Sequence, residues 1–221
     1  MMNIEYAINN LKDAIIEMGE LVIKQLTKSK DAYINHDKNL AEEIVHNEKI
    51  VNSMELSIDR DCERIFALLN PVASDLRFVI AALKINSDFE RIGDYADGIA
   101  DYILDSDEKL DQKLVESTNL GHMFDIAIAM TEDITLAIKN DDNVLARSVY
   151  TKDRELNEIN SISSKIITDY IKINPDGIRQ ALLLFSAIRK LERAGDHVKN
   201  IAEDLIFYVE AKVLKQERLD K

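Results

Sequence analysis

Glu90-Arg91-Ile92-Gly93-Asp94 recurs one hundred and two residues later as Glu192-Arg193-Ala194-Gly195-Asp196. The likeness continues, with Ile99-Ala100-Asp101 answered by Ile201-Ala202-Glu203, so that six of twelve positions are identical across the shift. Self-similarity at a fixed spacing marks one architectural unit used twice. Upstream of each copy stands the same punctuation, Asn70-Pro71 and Asn174-Pro175. Each unit therefore carries an acid pair four residues apart behind an Asn-Pro turn.

The pentapeptides lie inside apolar stripes of helical period. In the stretch 71–104 the stripe is Phe78, Ala82, Ile85, Phe89, Ile92, Ala96, Ile99 and Ile103, and after Pro175 it is Leu184, Ala187, Leu191, Ala194, Val198, Ile201 and Leu205. Steps alternating between four and three residues form the seam of a helix packed lengthwise in a bundle. Similar stripes predict helices over about 3–34, 38–69, 113–139 and 144–173, separated by His36-Asp37 and Asn140-Asp141-Asp142. Asn suits an N-cap and Pro a first helical position, so Asn70-Pro71 is expected to end one helix and start the next. No segment alternates with period two, and Gly and Pro number only six and two. The expected fold is all-α, with six long helices of about 45 Å each in two tandem antiparallel three-helix bundles. An internal pseudo-twofold repeat relates the bundles. Residues 1–106 form repeat 1 and 107–221 repeat 2, with Asp105-Ser106-Asp107-Glu108 as the polar linker.

Composition excludes several functions. A net charge of −13 argues against nucleic acid, which is bound through Lys/Arg clusters. It suits cations, basic protein patches or simple solubility. The lone Cys62 cannot close an internal disulfide and reads as a small core residue of a reducing compartment. Met1-Met2-Asn3-Ile4-Glu5 lacks the regions of a secretory signal, and no apolar run approaches the ~20 residues of a membrane span. A soluble, cytoplasmic protein is expected.

Helical projection decides what the repeated acids face. At 100° per residue, Glu90, Asp94, Asp97 and Asp101 fall roughly 110–170° from the centre of the apolar arc, on the face away from the core. Glu192, Asp196 and Glu203 do the same in the second unit, while Glu48, Asn52, Glu55 and Asp59 line up beside the seam of the second helix. Carboxylates four residues apart repel by a few tenths of a kcal/mol per pair. Arg91, Arg193, Lys84 and water could offset this on an ordinary solvated face. Alternatively, hard oxygen ligands from two adjacent helices could gather one or more metal ions. Two details favour the second reading. Gly93 and Gly195 sit mid-helix at about 1 kcal/mol relative to Ala, which suggests a close backbone approach or a bound group. A merely solvated face would also not need to keep Glu, Arg, Gly and Asp in both copies. The units are unequal, however. Aligning the fifth helix on the second matches Glu48 with Asp153 and Asn52 with Asn157, but Glu55 and Asp59 with Asn160 and Ser164, and Asp97 becomes Lys199. The second site is expected to bind cations more weakly.

No Gly-rich phosphate loop, Ser-His-Asp set or Cys-His set is present, so no catalytic residue is assigned. Glu43-x-x-His46 has the spacing of di-iron helical bundles, but those need the motif twice. His197 follows the second acid pair, and its repeat partner is Tyr95, which favours a surface residue or hydrogen-bond donor over a ligand.

Asn70-Pro71-Val72-Ala73-Ser74-Asp75-Leu76-Arg77, the two pentapeptides, and Leu191 through His197 with Asn200-Ile201-Ala202-Glu203 together resemble the PhoU family of phosphate-uptake regulators. The resemblance covers essentially the whole chain. It implies mirror bundles with multinuclear metal clusters on the acid-x-x-x-Asp motifs, holding divalent or trivalent ions such as Fe, Zn, Mn or Mg. Carried across, the metal ligands are Glu90, Asp94, Glu192 and Asp196, joined by Glu48, Glu55, Asp59 and Asp153 from the facing helices. It also implies a cytoplasmic, non-enzymatic homodimer that couples the ATPase subunit of a phosphate ABC transporter to a sensor histidine kinase. Phosphate-starvation genes would then be repressed when phosphate is plentiful, and the membrane reached only through protein partners. A metal-dependent hydrolase or oxidase is the alternative, and a metal-free scaffold a third reading.

Overall fold

The computed structural model describes residues 3–106 and 109–211. Its helices are α1 (Ile4–Asn35), α2 (Lys38–Leu69), α3 (Ala73–Leu104), α4 (Gln112–Ser117), α5 (Leu120–Asn140), α6 (Asn143–Ile173) and α7 (Ile178–Glu210), with a 3-10 turn over Pro175–Gly177. No strand occurs among the described residues. The architecture is the expected pair of antiparallel three-helix bundles, α1–α2–α3 and α5–α6–α7.

Local chemistry explains the chain reversals. His36 takes the left-handed conformation that closes α1, and the Asp37 carboxylate accepts from Leu40 N–H to open α2. The second repeat uses the same device, with Asp141 left-handed and Asp142 accepting from the N–H groups of Val144 and Leu145. The first Asn-Pro turn departs from expectation. Asn70 is the left-handed C-cap of α2 at φ 47°, and α3 starts only at Ala73 behind Val72, which gives no side-chain cap. Asn tolerates the left-handed region, so Asn70 terminates rather than initiates. Asn174 also ends α6, but at φ −126° and ψ 73° it is not left-handed, and it directly precedes the 3-10 turn that Pro175 opens, as the Asn-Pro punctuation leads one to expect. The fourth predicted helix is also two. Thr118 Oγ donates to the carbonyls of Leu114 and Val115 at 3.0 Å, and Asn119 turns left-handed at φ 53°. Hydroxyl and amide side chains compete with the helix ladder in this way.

The predicted stripes of α3 and α7 are buried along their full length. Burial of a side chain the size of Phe89 or Ile92 contributes about 2 kcal/mol relative to exposure, and Cys62 is buried among them as a small apolar group. The two bundles share one continuous core, because α3 packs along α7 and α1 along α5. The linker residue Ser106 is buried, and Asp107 and Glu108 lie outside the described residues.

The seam between α3 and α7 records the pseudo-twofold. Arg77 near the start of α3 donates to Tyr208 O near the end of α7, and its repeat counterpart Arg179 donates to Asp105 O at the end of α3. Tyr95 and His197 are repeat equivalents, and they touch each other, Tyr95 Oη lying 3.2 Å from His197 Nε2. Equivalent residues can meet only beside the axis that relates them. That axis therefore passes between these two rings.

Candidate functional site

In the first repeat, α2 and α3 run antiparallel with Gly93 at their closest approach. A Cβ added at Gly93 would lie 3.1 Å from Val51 Cγ1 and 3.5 Å from Glu48 Oε2. The glycine thus lets α3 settle on α2 and brings the α3 acids over Glu48. Five carboxylates, those of Glu48, Glu55, Glu90, Asp94 and Asp97, then act on one another across the groove. Glu90, Asp94 and Asp97 are half-buried and Glu48 is buried. The acid line lies on the face away from the core stripe, as projected, but that face is not an open one, because α2 covers it.

The electrostatics are those of an uncompensated cluster. Burial first, then the facing charges of Asp97, Asp94, Glu90 and Glu55, pushes Glu48 up to about 8 from an ordinary 4.5. Burial and Asp94 raise Glu90, and burial with Asp101 and Asp94 raises Asp97. Both carboxylate oxygens of Glu48, together with Glu90 Oε2 and Asp97 Oδ1, are buried without a hydrogen-bond partner. Arg91 stays at the exposed rim, 2.8 Å from Asp94 Oδ2 and 3.5 Å from Glu90 Oε2, and Lys190 of α7 only partly opposes the rise of Asp97. The last distance is too long for a good hydrogen bond. Asp59 is held apart at the end of the groove, where it accepts at 3.0 Å from the buried Asn86 amide.

Among the described residues, no three His, Cys, Asp or Glu side chains converge as a finished metal cage. The donor set nonetheless suits a hard cation. Orphaned carboxylate oxygens from two helices are the chemistry that such ions require, and buried polar groups without partners are otherwise rare.

The second repeat has the same frame and different contents. A Cβ at Gly195 would lie 3.5 Å from Asp153 Oδ1, as one at Gly93 would from Glu48. Asp153, Glu192 and Asp196 do come together. Into them reaches Lys199, its Nζ 2.9 Å from Asp153 Oδ2 and 2.7 Å from Asp196 Oδ1. Asn157 adds a hydrogen bond to the same Asp153 oxygen at 3.0 Å. Burial lowers the affinity of Lys199 for its proton, but the two carboxylates outweigh this and hold its pKa above the usual lysine value.

The histidines lie elsewhere. His197 is directed to the interbundle seam, its Nδ1 2.6 Å from Asp88 Oδ1, rather than toward the acids or open solvent. Glu43 is paired on the surface with Lys28 at 2.6 Å, and His46 is exposed. Asp88, the partner of His197, is not marked by any sequence motif. Its repeat counterpart is Lys190, and such a charge reversal between copies is the signal that could have marked a contact across the axis.

Comparison with known proteins matches this frame twice. The PhoU domain family matches residues 15–103 and again 120–205. The phosphate-specific transport system accessory protein PhoU of Escherichia coli K12 is 32% identical over 219 residues, spanning 97% of this chain and 89% of its own. The protein of that name from Edwardsiella tarda is 34% identical over 200 residues, or 90% of this chain and 81% of its own. The crystal structure of PhoU from Pseudomonas aeruginosa superimposes with a TM-score of 0.86 at 30% identity, covering 95% of this chain and 100% of the other. The phosphate transport system regulatory protein PhoU from Streptococcus pneumoniae does so with 0.87 at 28%, covering 96% and 99%. With both repeats matched and 97% of its length aligned to the Escherichia coli protein, the chain belongs to the PhoU family.

Proposed function

We propose that this protein regulates phosphate uptake and the phosphate-starvation response as a cytoplasmic, non-enzymatic adaptor. It acts as a homodimer between the ATPase subunit of a phosphate ABC transporter and a sensor histidine kinase, and meets the membrane only through them. The observation that carries this reading is the match of both repeats to the family, together with relatives named as accessory proteins of phosphate-specific transport. No helix among the described residues is long and apolar enough to cross a membrane, which accords with a peripheral role. The acidic surface favours basic patches on either partner. Against the hydrolase or oxidase reading, both ring nitrogens of His197, the residue next to the second acid pair, face Asp88 and Tyr95 in the interbundle seam and not the acids.

Within that role, metal ions bind the first acid cluster through Glu48, Glu90, Asp94 and Glu55, with Asp59 at its margin. Ions of the Mn, Fe, Zn or Mg class would neutralise the cluster and pin α2 to α3. Deleting the gene in phosphate-replete cells tests the regulatory role. A phosphate-starvation reporter should switch on, return to silence on complementation, and transporter and kinase subunits should co-purify with the tagged protein. A reporter that stays silent after deletion, with neither subunit retained, overturns the proposal.

A further inference from the structure

We infer that Lys199 is the built-in cation of the second repeat: its ammonium occupies the place of a metal ion between Asp153 and Asp196, leaving this chain with one metal-responsive acid cluster rather than two. In register, Lys199 stands where the first repeat has Asp97, so the exchange removes a ligand and adds a positive charge at the same point of the frame. In space, the ammonium contacts both carboxylates at 2.9 and 2.7 Å. A compact ammonium is a good point-charge substitute for an ion among carboxylates. Each glycine faces its buried acid at the same 3.5 Å, although the apolar neighbour is nearer at Gly195 than at Gly93. The acids are thus placed alike, and the contrast between them lies in the charge that meets them.

The remaining donors point the same way. Where the first repeat has Glu55 and Asp59, the second has Asn160 and Ser164, which cannot supply charge to a hard cation. A metal entering would have to expel the ammonium from Asp153, whose side chain is only 7% exposed, and leave it without its partners. The family's doubled acid motif survives here in sequence while one of its two sites has become an internal salt bridge.

The contrast with the first cluster rests on the metal reading proposed above, but the assignment of Lys199 does not, and the test separates them. Mn2+ is titrated into the full chain by equilibrium dialysis, with electron paramagnetic resonance of the bound ion and thermal unfolding as independent readouts. Wild type should bind Mn2+, and Glu90→Ala/Asp94→Ala should bind none above buffer level. Adding Lys199→Asp to that double variant should restore binding and a Mn2+-dependent rise in Tm. Lys199→Gln in the same background keeps the side chain uncharged and close in length should the aspartate variant fail to fold, and it should restore binding more weakly. Residual Mn2+ on Glu90→Ala/Asp94→Ala that disappears with Asp196→Asn would overturn the inference, as would folded Lys199 variants that gain nothing. If wild type binds no Mn2+ yet the Lys199→Asp variant does, the first-cluster reading fails while Lys199 keeps its role.

Discussion

Across α2 and α3, five carboxylates face one another with a guanidinium paired at the rim and no ammonium bridging them; across α6 and α7, three carboxylates share an ammonium that touches two of them. The helices, the facing glycine and the buried acid are common to both places. What differs is how charge is balanced. The first arrangement is locally unfavourable, with four buried carboxylate oxygens that have no partner. The second leaves one oxygen, Asp153 Oδ1, without a partner and pairs the other with Lys199. On the metal reading proposed above, the duplicated unit has one responsive half and one half balanced largely from within.

The largest test of this contrast is removal of the internal cation. Lys199→Met keeps the apolar stem and deletes the charge, leaving Asp153 buried beside Asp196 without compensation. Loss of one partner from a buried pair typically costs 3–5 kcal/mol, and because Lys199 is partly exposed we expect about 3 kcal/mol, read by urea unfolding. Asp97→Lys in the first repeat should do the opposite in metal-free protein and raise stability. Equal effects from both would erase the distinction between the halves.

Metal addition should come next in size. An ion bound to the folded state alone stabilises by about 2.7 kcal/mol at about a hundredfold excess over Kd, and chelation should withdraw that increment as a lower Tm. Glu90→Ala or Glu48→Ala should abolish the response, whereas Glu192→Ala should leave it intact. A response lost equally from both repeats would contradict the comparison.

A smaller effect follows from the proton that Glu48 holds. Its folded-state value of about 8 lies above the ordinary 4.5, so the folded protein favours the protonated form. The sign is therefore that metal-free stability is fullest below about pH 4.5 and falls as pH rises toward 8. Each tenfold change in proton affinity is worth about 1.4 kcal/mol, and after discounting the full shift for water reaching part of the groove we expect Glu48→Gln to stabilise by about 2 kcal/mol at about pH 8.5 and by nothing at about pH 4. Bound metal should flatten this slope, since the ion takes the deprotonated carboxylate. The equivalent acid, Asp153, is also raised, chiefly by burial, with Lys199 and Asn157 opposing, so Asp153→Asn should stabilise less than Glu48→Gln at about pH 8.5 because it also takes a carboxylate from Lys199.

Much of this was legible because helical period is a strong signal. The stripes from Phe78 to Ile103 and from Leu184 to Leu205 are buried as read, and the repeat placed both acid pairs in equivalent positions. Projection of a single helix could not say what covers its flanks. Glu90 and Asp94 are turned away from the apolar arc, yet in a three-helix bundle a neighbouring helix closes over that side. Glu48, read as lying beside a seam, is instead 8% exposed and central to the cluster. The break at Thr118-Asn119 escaped because the apolar period runs through it, and the hydroxyl bonds to Leu114 and Val115 together with the left-handed Asn119 end the helix. Gly19 drew no notice, although a Cβ there would meet Thr135 on α5 and Phe89 on α3. Contacts between bundles depend on how the repeats dock, and that relation is absent from any one stripe.

The finest discrimination concerns the two facing glycines. Alanine in a helix interior gains about 1 kcal/mol over glycine, so each substitution sets that gain against the room available. At Gly195 the new methyl would stand 2.6 Å from Leu156 Cδ1, and Leu156 is wholly buried. Overpacking of this kind typically costs 1–3 kcal/mol, which leaves Gly195→Ala destabilised by about 1 kcal/mol. At Gly93 the nearest atom is Val51 Cγ1 at 3.1 Å, a tighter contact than usual but one that a small shift relieves, and Glu48 Oε2 at 3.5 Å is ordinary contact. Gly93→Ala should therefore change stability by less than about 0.5 kcal/mol, the range of a mild substitution, and should keep its Mn2+. If Gly93→Ala instead folds with normal stability and loses the ion, the glycine in the first repeat serves the metal rather than the approach of α3 to α2. The common frame of the two clusters would then be a coincidence of packing, and the comparison would have to rest on Lys199 and Asp97 alone.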